Sequence, residues 1–172
     1  MKLLLVKTAF FLIMVQYAQG QNTFFIGEKT YPCTKSFTLW PKEYGGNELD
    51  VLIAKNGQDG MIALSVGGLM SPIRVLGKVI IYLEDGSVIT CIDREKYDYV
   101  DHIATTIYYL TREELTKMKN SNISSIRYSL KCFDCQMSTE EGNFSANNHE
   151  ESFIFKHEKT NVPEFIRGLF GD

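Results

Sequence analysis

A pair of cysteines three positions apart, Cys132 and Cys135, is the motif that most directly suggests chemistry. In a thiol–disulfide oxidoreductase, Cys132 would be the thiolate nucleophile and Cys135 would resolve the mixed disulfide. That role normally needs a helix that begins at the first cysteine, because the helix dipole stabilises the thiolate. The residues after Cys135 favour a helix poorly, and Asp134 would oppose a thiolate. We therefore expect structural thiols or a disulfide here and keep redox catalysis as an alternative.

Two further cysteines, Cys33 and Cys91, bring the total to four. Four cysteines permit three sets of pairings, and an even number in an oxidising compartment favours disulfides. We expect Cys132–Cys135 and Cys33–Cys91, and a buried free thiol at Cys91 is the alternative to the second bridge. A structural zinc site usually shows two close pairs of cysteines. Only one close pair is present, so no metal is expected.

The three histidines, His102, His149 and His157, share no tight ligand spacing. The sequence also has no H-E-x-x-H, G-x-S-x-G, P-loop or dinucleotide-binding glycine pattern. We therefore predict no catalytic residue, no metal and no cofactor. A hydrolase whose residues converge only in three dimensions is a second enzymatic alternative.

Two tyrosines, Tyr97 and Tyr99, are the candidate binding residues. They lie within residues 94–101, a charged segment that we predict to be a loop. Tyrosine combines an apolar ring with a polar hydroxyl and therefore suits binding surfaces. The alternative is that both rings simply cover a sheet edge.

The first twenty residues have the pattern of a secretory signal peptide. Lys2 and Lys7 frame a positive region, residues 8–15 form an apolar run, and Ala18-Gln19-Gly20 resembles a small-x-small cleavage site. Cleavage would start the mature chain at Gln21. A membrane anchor is the rival interpretation, but a spanning helix needs about 20 predominantly apolar residues and this run is shorter. After its removal, no other segment predicts a transmembrane helix.

The charge balance argues against two classes of partner. Removal of the leader, which holds two lysines and no acidic residue, would leave 16 basic and 21 acidic residues, a net charge of −5. Nucleic acids and anionic lipids both attract basic proteins. We therefore expect a protein or a small molecule as partner, outside the cytoplasm, in the periplasm or in secreted form.

The elements that would position these residues are mainly strands. Residues 49–54 and 61–66 read as a hairpin with a loop of about five residues. In a second hairpin, Asp85-Gly86 would form a two-residue type I′ turn, which would place Ile81 opposite Thr90. Both faces of that hairpin are apolar, so we predict that it is central and covered on both sides.

A helix is predicted after the strand that covers residues 102–110. Thr111 is a suitable N-cap, Glu114 completes a capping box, and Asn120 would end the helix. The alternating pattern of residues 123–131 predicts an amphipathic strand. Residues 138–151 are polar and are predicted to be a loop, and a short helix would open at Pro163. In the helix capped by Thr111, Leu110 and Leu115 occupy the hydrophobic staple positions. Lys117 and Lys119 would lie in its last turn, where a positive charge opposes the negative end of the helix dipole.

The segments VIIYLEDGSVITCID and YYLTREEL…ISSIRYSL, between Lys78 and Lys131, resemble exported bacterial proteins without an assigned activity. The resemblance implies export and a mixed sheet, and it implies no reaction. The first third of the chain and its tail lie outside the similar region.

Taken together, the pattern predicts an α+β fold. One domain over residues 21–172 would hold an antiparallel sheet of six to eight strands, a capped helix near residues 111–120 and a short C-terminal helix. The predicted function is that of an exported, non-catalytic binding or interaction module. The alternative is an enzyme of the thiol-redox or hydrolase type.

Overall fold

The computed structural model describes residues 22–42, 46–70, 72–132, 140–151 and 156–171. The predicted leader, Gln21 and Cys135 lie outside the described residues. The strands are β1 (Thr23–Ile26), β2 (Lys29–Pro32), β3 (Phe37–Pro41), β4 (Leu49–Asn56), β5 (Asp59–Val66), β6 (Ile73–Val75), β7 (Val79–Leu83), β8 (Val88–Cys91), β9 (Tyr97–Val100), β10 (Ile103–Leu110), β11 (Ile123–Cys132), β12 (Gly142–Asn147), β13 (Glu150–Glu151) and β14 (Lys156–His157). The helices are α1 (Arg112–Asn120) and α2 (Val162–Phe170).

Ten of these strands form one antiparallel sheet. Its order is β8-β7-β11-β12-β3-β4-β5-β10-β9, and β6 pairs separately with β11. Because β6 also contacts β10 and β9, the sheet curls around a common interior. Strands β1 and β2 form their own two-stranded sheet, and β13 pairs with β14.

The predicted balance of helix and strand is only partly right. Of the residues that the structure describes, 73 lie in strands and 18 in the two helices, so the fold is mostly β, and it has more than the six to eight strands predicted. The antiparallel pairing and the two helices agree with the prediction. The additional strands include β1, β2, β9 and β12, which come from segments whose sequences lack a clear strand pattern, namely residues 23–32, 97–100 and 142–147.

The inner face of the curled sheet holds the main core. Alternation along each strand turns every second side chain inward, where large apolar groups exclude water from one another. Fully buried members include Leu39, Leu49, Ile53, Ile62, Leu64, Ile73, Ile81, Tyr108 and Tyr128. The two helices add Leu115, Met118, Val162 and Ile166 to this cluster.

Helix α1 begins as its sequence predicts. The Thr111 hydroxyl accepts a hydrogen bond from the Glu114 amide at 3.3 Å, and the Thr111 amide donates to the Glu114 carboxylate at 2.8 Å. These reciprocal bonds satisfy two amides that the first helical turn leaves without partners. Lys117 and Lys119 lie in its last turn, as predicted. Helix α2 likewise has its proline in the first turn, after an Asn161 cap.

The predicted register of the β7–β8 hairpin is wrong by one residue. Ile81 pairs with Ile89 instead of Thr90, and Leu83 donates its amide to the Ser87 carbonyl at 2.9 Å. The loop therefore has three residues, of which only Gly86 has a positive φ, at 84°. A three-residue loop that ends in a left-handed glycine is the next commonest solution after the type I′ turn.

The β7–β8 hairpin also lies at one end of the sheet and is not central. Tyr82 is 36% exposed and Val88 is 43% exposed, so its outer face is open, contrary to the prediction. In the β4–β5 hairpin, the loop holds two residues, Gly57 and Gln58, and is shorter than the predicted five, because Asn56 and Asp59 still pair.

The predicted polar loop over residues 138–151 contains strand β12, which pairs with both β11 and β3. Its inward positions carry Phe144, which stacks on Tyr128, and buried Ala146. The polar residues occupy the outer face, so the segment is a strand with one solvent-facing side. Next to it, the buried Asn148 side chain donates at 2.9 Å to the Thr160 carbonyl and accepts from the Thr160 amide, tying the chain before α2 to the sheet.

Among the described residues, no helix combines the length and the apolar character needed to cross a bilayer.

Candidate functional site

The predicted loop at residues 94–101 contains strand β9, which ends the sheet and pairs with β10. A terminal strand can carry charged residues because one of its edges lies outside the ladder. The Asp98 carboxylate accepts a hydrogen bond from the neighbouring Tyr99 amide at 2.8 Å. That bond occupies one of the amides through which another strand could pair, so the edge is partly protected.

A two-residue turn joins β9 to β10. Asp101 and His102 both have positive φ values, 52° and 63°, a backbone region that residues other than glycine rarely adopt. The turn is held by Leu69, whose carbonyl lies 3.1 Å from Nδ1 of His102 and whose amide donates to the His102 carbonyl. The Tyr99 hydroxyl also donates to the Leu69 carbonyl, at 3.4 Å. These contacts fix the tip of the hairpin.

The structure gives the two candidate tyrosines different surroundings. Tyr99 is half-buried and packs against the main core. Tyr97 is 44% exposed, and the Arg74 guanidinium lies 3.9 Å from its ring centroid. Tyr97 thus reaches the surface while its ring is held by a cation–π contact.

An open groove of about 450 Å³, here named the apolar groove, lies between β1 and the outer face of β9 and β10. Its most exposed apolar side chains are Phe25 at 66%, Val100 at 55% and Ile103 at 46%. Phe24, Ile26, Gly27, Lys96, Tyr97, Asp98, Asp101, Thr105 and Ile107 complete the lining. The groove therefore has apolar walls with a few charged groups at its rim.

A second hydrophobic cluster fixes the wall that β1 contributes. Phe24 and Ile26 pack beneath the β1–β2 hairpin onto Met61, Ala63 and Ile107, on the outer face of the large sheet. Phe25, between them, faces outward because neighbouring strand residues alternate in direction. The sequence does not predict which of these side chains faces outward, because Phe24, Phe25 and Ile26 form a continuous apolar run without alternation.

A buried polar cluster lies on the inner side of Tyr97. Arg74 Nη1 is 3.9 Å from the Asp93 carboxylate, which accepts amide hydrogen bonds from Gly77 at 3.0 Å and Glu95 at 2.7 Å. The Tyr108 hydroxyl donates to the Gly77 carbonyl at 3.2 Å. Burial, with smaller effects of Asp93 and Cys91, raises the pKa of Tyr108. We interpret this cluster as structural, because the Asp93 carboxylate is held by two backbone amides and the Arg74 guanidinium contacts both that carboxylate and the Tyr97 ring.

The predicted Cys33–Cys91 bridge is wrong: both residues are buried free thiols. They belong to different hydrophobic clusters, Cys91 to the main core and Cys33 to the smaller one under the β1–β2 hairpin. Burial, and secondarily the charge of Glu114, raises the pKa of Cys91 to about 12. Burial also raises the pKa of Cys33. Neither thiol is therefore activated as a nucleophile.

Cys132 ends strand β11, and its amide donates to the Glu141 carboxylate at 2.6 Å. Its pairing with Cys135 stays a prediction, since Cys135 lies outside the described residues.

The histidines are placed apart. His102 lies in the β9–β10 turn, His157 belongs to β14, and His149 lines a depression of about 540 Å³ with Ser124 and Glu158. Within the described ranges, no three His, Cys, Asp or Glu residues are grouped so that they could hold a metal ion.

Comparisons of the chain with protein-family models, with curated protein sequences and with solved structures give no match.

Proposed function

We propose that the protein is an exported, non-catalytic binding module that takes a small apolar molecule into the apolar groove. The observation that carries this proposal is the cluster of exposed side chains around the groove, Phe25, Val100 and Ile103. Exposed apolar groups that gather around a concavity mark interaction sites more often than isolated ones do.

The size of the groove favours a small molecule as its occupant. Its volume of about 450 Å³ lies within the 300–1,000 Å³ typical of ligand pockets. Lys96, Asp98 and Asp101 at the rim can orient a polar substituent while the apolar walls hold the ligand body. The amide of Tyr99, already bonded to Asp98, makes pairing of a partner strand along β9 less favourable.

The export part of the proposal is supported by the leader sequence, with its lysines, apolar run and Ala18-Gln19-Gly20 site. Mass spectrometry of the exported protein should find Gln21 at the N-terminus, allowing for its cyclisation. Retention of Met1 in that material would contradict export by cleavage.

No described contact favours the redox alternative, because Cys132 ends a strand and the two other described cysteines have raised pKa values. The hydrolase alternative is also without a specific observation in its favour. Ser124, His149 and Glu158 share a depression, and this proximity alone does not define a catalytic relay.

Binding of the uncharged fluorescent probe N-phenyl-1-naphthylamine tests the proposed groove. We expect saturable binding with one site per chain, weakened about tenfold in Phe25→Ser and in Val100→Ser, because each loses part of an apolar contact. Ile92→Ser is the matched control, since Ile92 is 68% exposed and does not line the groove.

Unchanged affinity in both groove variants would exclude the groove as the probe site, and an equal loss in the control would show non-specific adsorption. If the probe does not bind but the groove variants abolish a stable complex with another protein, the occupant is a side chain of that protein and the small-molecule proposal is wrong.

A further inference from the structure

A second groove, on the outer face of β7 and β11, is lined by three cations. Lys78, Arg127 and Lys131 border a depression of about 340 Å³, here named the basic groove. Ile80, Ser129 and Asn143 form part of its lining. All three cationic residues are exposed.

The strand period explains why the cations share one face. Along β11, Ile126, Tyr128 and Leu130 are buried, so residues 127, 129 and 131 face outward. Positions two apart in a strand are separated by about 7 Å, which puts Arg127 and Lys131 on either side of Ser129. Lys78 directly precedes β7, whose Ile80 pairs with Arg127.

The cations of the basic groove are not neutralised by the described carboxylates. No ion pair involves Lys78, Arg127 or Lys131 in the part of the chain that the structure describes. The two acidic residues before β12 bind backbone amides: the Glu140 carboxylate accepts from the Met70 amide, and the Glu141 carboxylate accepts from the Cys132 amide, next to Lys131. A local positive potential therefore persists on a chain with an excess of acidic residues.

A neutral donor accompanies the cations. The Ser129 hydroxyl donates to Oδ1 of Asn143 at 2.6 Å. This bond fixes the carboxamide and leaves its NH₂ group, which makes no other hydrogen bond with the described residues, as a donor. Guanidinium, ammonium and amide groups together match the oxygens of an anion.

We propose that the basic groove binds a small organic anion with at least two negative charges, either a phosphate ester or a polycarboxylate. A small anion keeps all of its charge within about 8 Å of the cations, the screening length at physiological salt. A long polyanion would extend over the rest of a surface with an excess of acidic residues, where it gains nothing. The size of the depression and the charge of the chain therefore both favour a compact ligand.

Isothermal titration of the mature chain with inorganic pyrophosphate and with citrate, at low and at physiological salt, tests this site. We expect one saturable site that weakens as salt rises. The tighter of the two anions assigns the source, with pyrophosphate standing for phosphate esters and citrate for polycarboxylates. Arg127→Gln and Lys131→Gln should each weaken binding about tenfold, since each removes a charged donor.

Lys29→Gln is the matched control, because it removes one positive charge from an exposed position on β2, outside the basic groove. It should leave the anion affinity unchanged within about twofold, as expected for a screened distant charge. Arg127→Gln should in turn leave binding of the uncharged naphthylamine probe unchanged, which keeps this test separate from that of the apolar groove.

Three outcomes would overturn the proposal: no saturable binding of either anion at low salt, an equal loss of affinity in Lys29→Gln, or tighter binding of a heparin oligosaccharide or of phosphatidylglycerol vesicles than of both small anions. A melting temperature of the Gln variants equal to that of the unmodified chain, without ligand, would show that any loss is not a loss of folding.

Discussion

The apolar groove and the basic groove lie on the outer face of the same curled sheet but are built differently. The apolar groove joins two hairpins that are far apart in sequence, with Phe25 on one and Val100 on the other. The basic groove is centred on a single strand, β11, whose alternation alone places Arg127 and Lys131 together. A site assembled from separate hairpins depends on their packing, whereas a site on one strand depends mainly on that strand's register.

Strand β6 links the two regions. It pairs with β11, where Arg74 lies opposite Lys131, and the Arg74 guanidinium stacks on Tyr97 at the rim of the apolar groove. The two grooves are therefore neighbours of one buried arginine. Substitutions in β6 should therefore affect ligand binding in both grooves. A substitution beneath the wall of one groove should affect binding in that groove only.

The largest expected effect comes from removing the support of the apolar groove. Met61→Ala should lower the free energy of unfolding by about 3 kcal/mol, because a fully buried methionine leaves a cavity under the β1–β2 hairpin. The naphthylamine probe should bind more weakly while pyrophosphate binding is retained. Urea denaturation measures the first effect, and titration measures the other two.

Met70→Ala is the matched control for that variant, since Met70 is 87% exposed. Its free energy of unfolding should change by less than about 0.5 kcal/mol, as for other surface substitutions. A loss of both ligands in folded Met61→Ala would show that the two grooves are not independent.

Arg74→Met comes next in size. It leaves the buried Asp93 carboxylate without its cation, although the amides of Gly77 and Glu95 still donate to it. We expect a loss of about 2 kcal/mol in the free energy of unfolding, below the usual range for breaking a buried pair because those amide bonds remain. Arg112→Met, which removes an exposed hydrogen bond to Gln58, should cost less than about 0.5 kcal/mol. Equal urea midpoints for the two variants would contradict a structural role of Arg74.

A smaller effect is expected at the turn after β7, the strand that contributes Ile80 to the basic groove. Gly86 has a φ of 84° and open space around its Cβ position, so Gly86→Val should cost about 1–2 kcal/mol through the backbone alone. The same change should weaken pyrophosphate binding, because the turn sets the register of β7, and should spare the naphthylamine probe.

Gly168→Ala provides the comparison for Gly86. This glycine lies in α2, without a positive φ and with open space for a methyl group, so its substitution should stabilise the protein by up to about 1 kcal/mol. A gain in stability from both substitutions would mean that the turn does not need a left-handed residue.

The sequence predicts those elements whose signals are local. Thr111 and Glu114 are three residues apart and form the predicted capping box, and β11 follows its own alternation. The β7–β8 register is missed because the same Asp85-Gly86 pair fits both a two-residue and a three-residue loop. The choice between them depends on which side chains the rest of the sheet buries, and that is not local information.

The two grooves show the same limit. The alternation of residues 123–131 predicts that Arg127 and Lys131 share one face, but the net negative charge of the chain argues against an anionic partner. The apolar groove could not be read, because nothing near Phe25 in the sequence indicates that it will lie beside Val100. The residue type of Tyr97 predicts a binding role, and Tyr97 does line the apolar groove. It lies on β9, a strand that the charged sequence of residues 94–101 does not predict.

The smallest effect at neutral pH is a difference in reactivity between the two buried thiols. One lies in the cluster under the apolar groove and the other in the main core. Cys33 lies under the small β1–β2 sheet, whereas Cys91 belongs to the core that also contains β6, β10 and α1. Local opening of a two-stranded sheet requires less free energy than global unfolding. We therefore expect iodoacetamide to modify Cys33 faster than Cys91 in the native protein, by about tenfold or more. Peptide mass mapping at increasing times measures both rates in one sample.

The pH dependence of stability provides the complementary measurement for Cys91. Its folded pKa of about 12 lies above the usual cysteine value of 9.0, so the fold favours the neutral thiol. Its contribution to stability is complete below pH 9 and is lost as the pH rises toward 12. The urea midpoint should therefore fall less steeply between pH 9 and 10 in Cys91→Ala than in the unmodified chain, before the buried tyrosines ionise. Equal iodoacetamide rates at Cys33 and Cys91 would show that the wall of the apolar groove opens only when the whole protein unfolds. Equal pH slopes in Cys91→Ala and in the unmodified chain would contradict the raised pKa of Cys91.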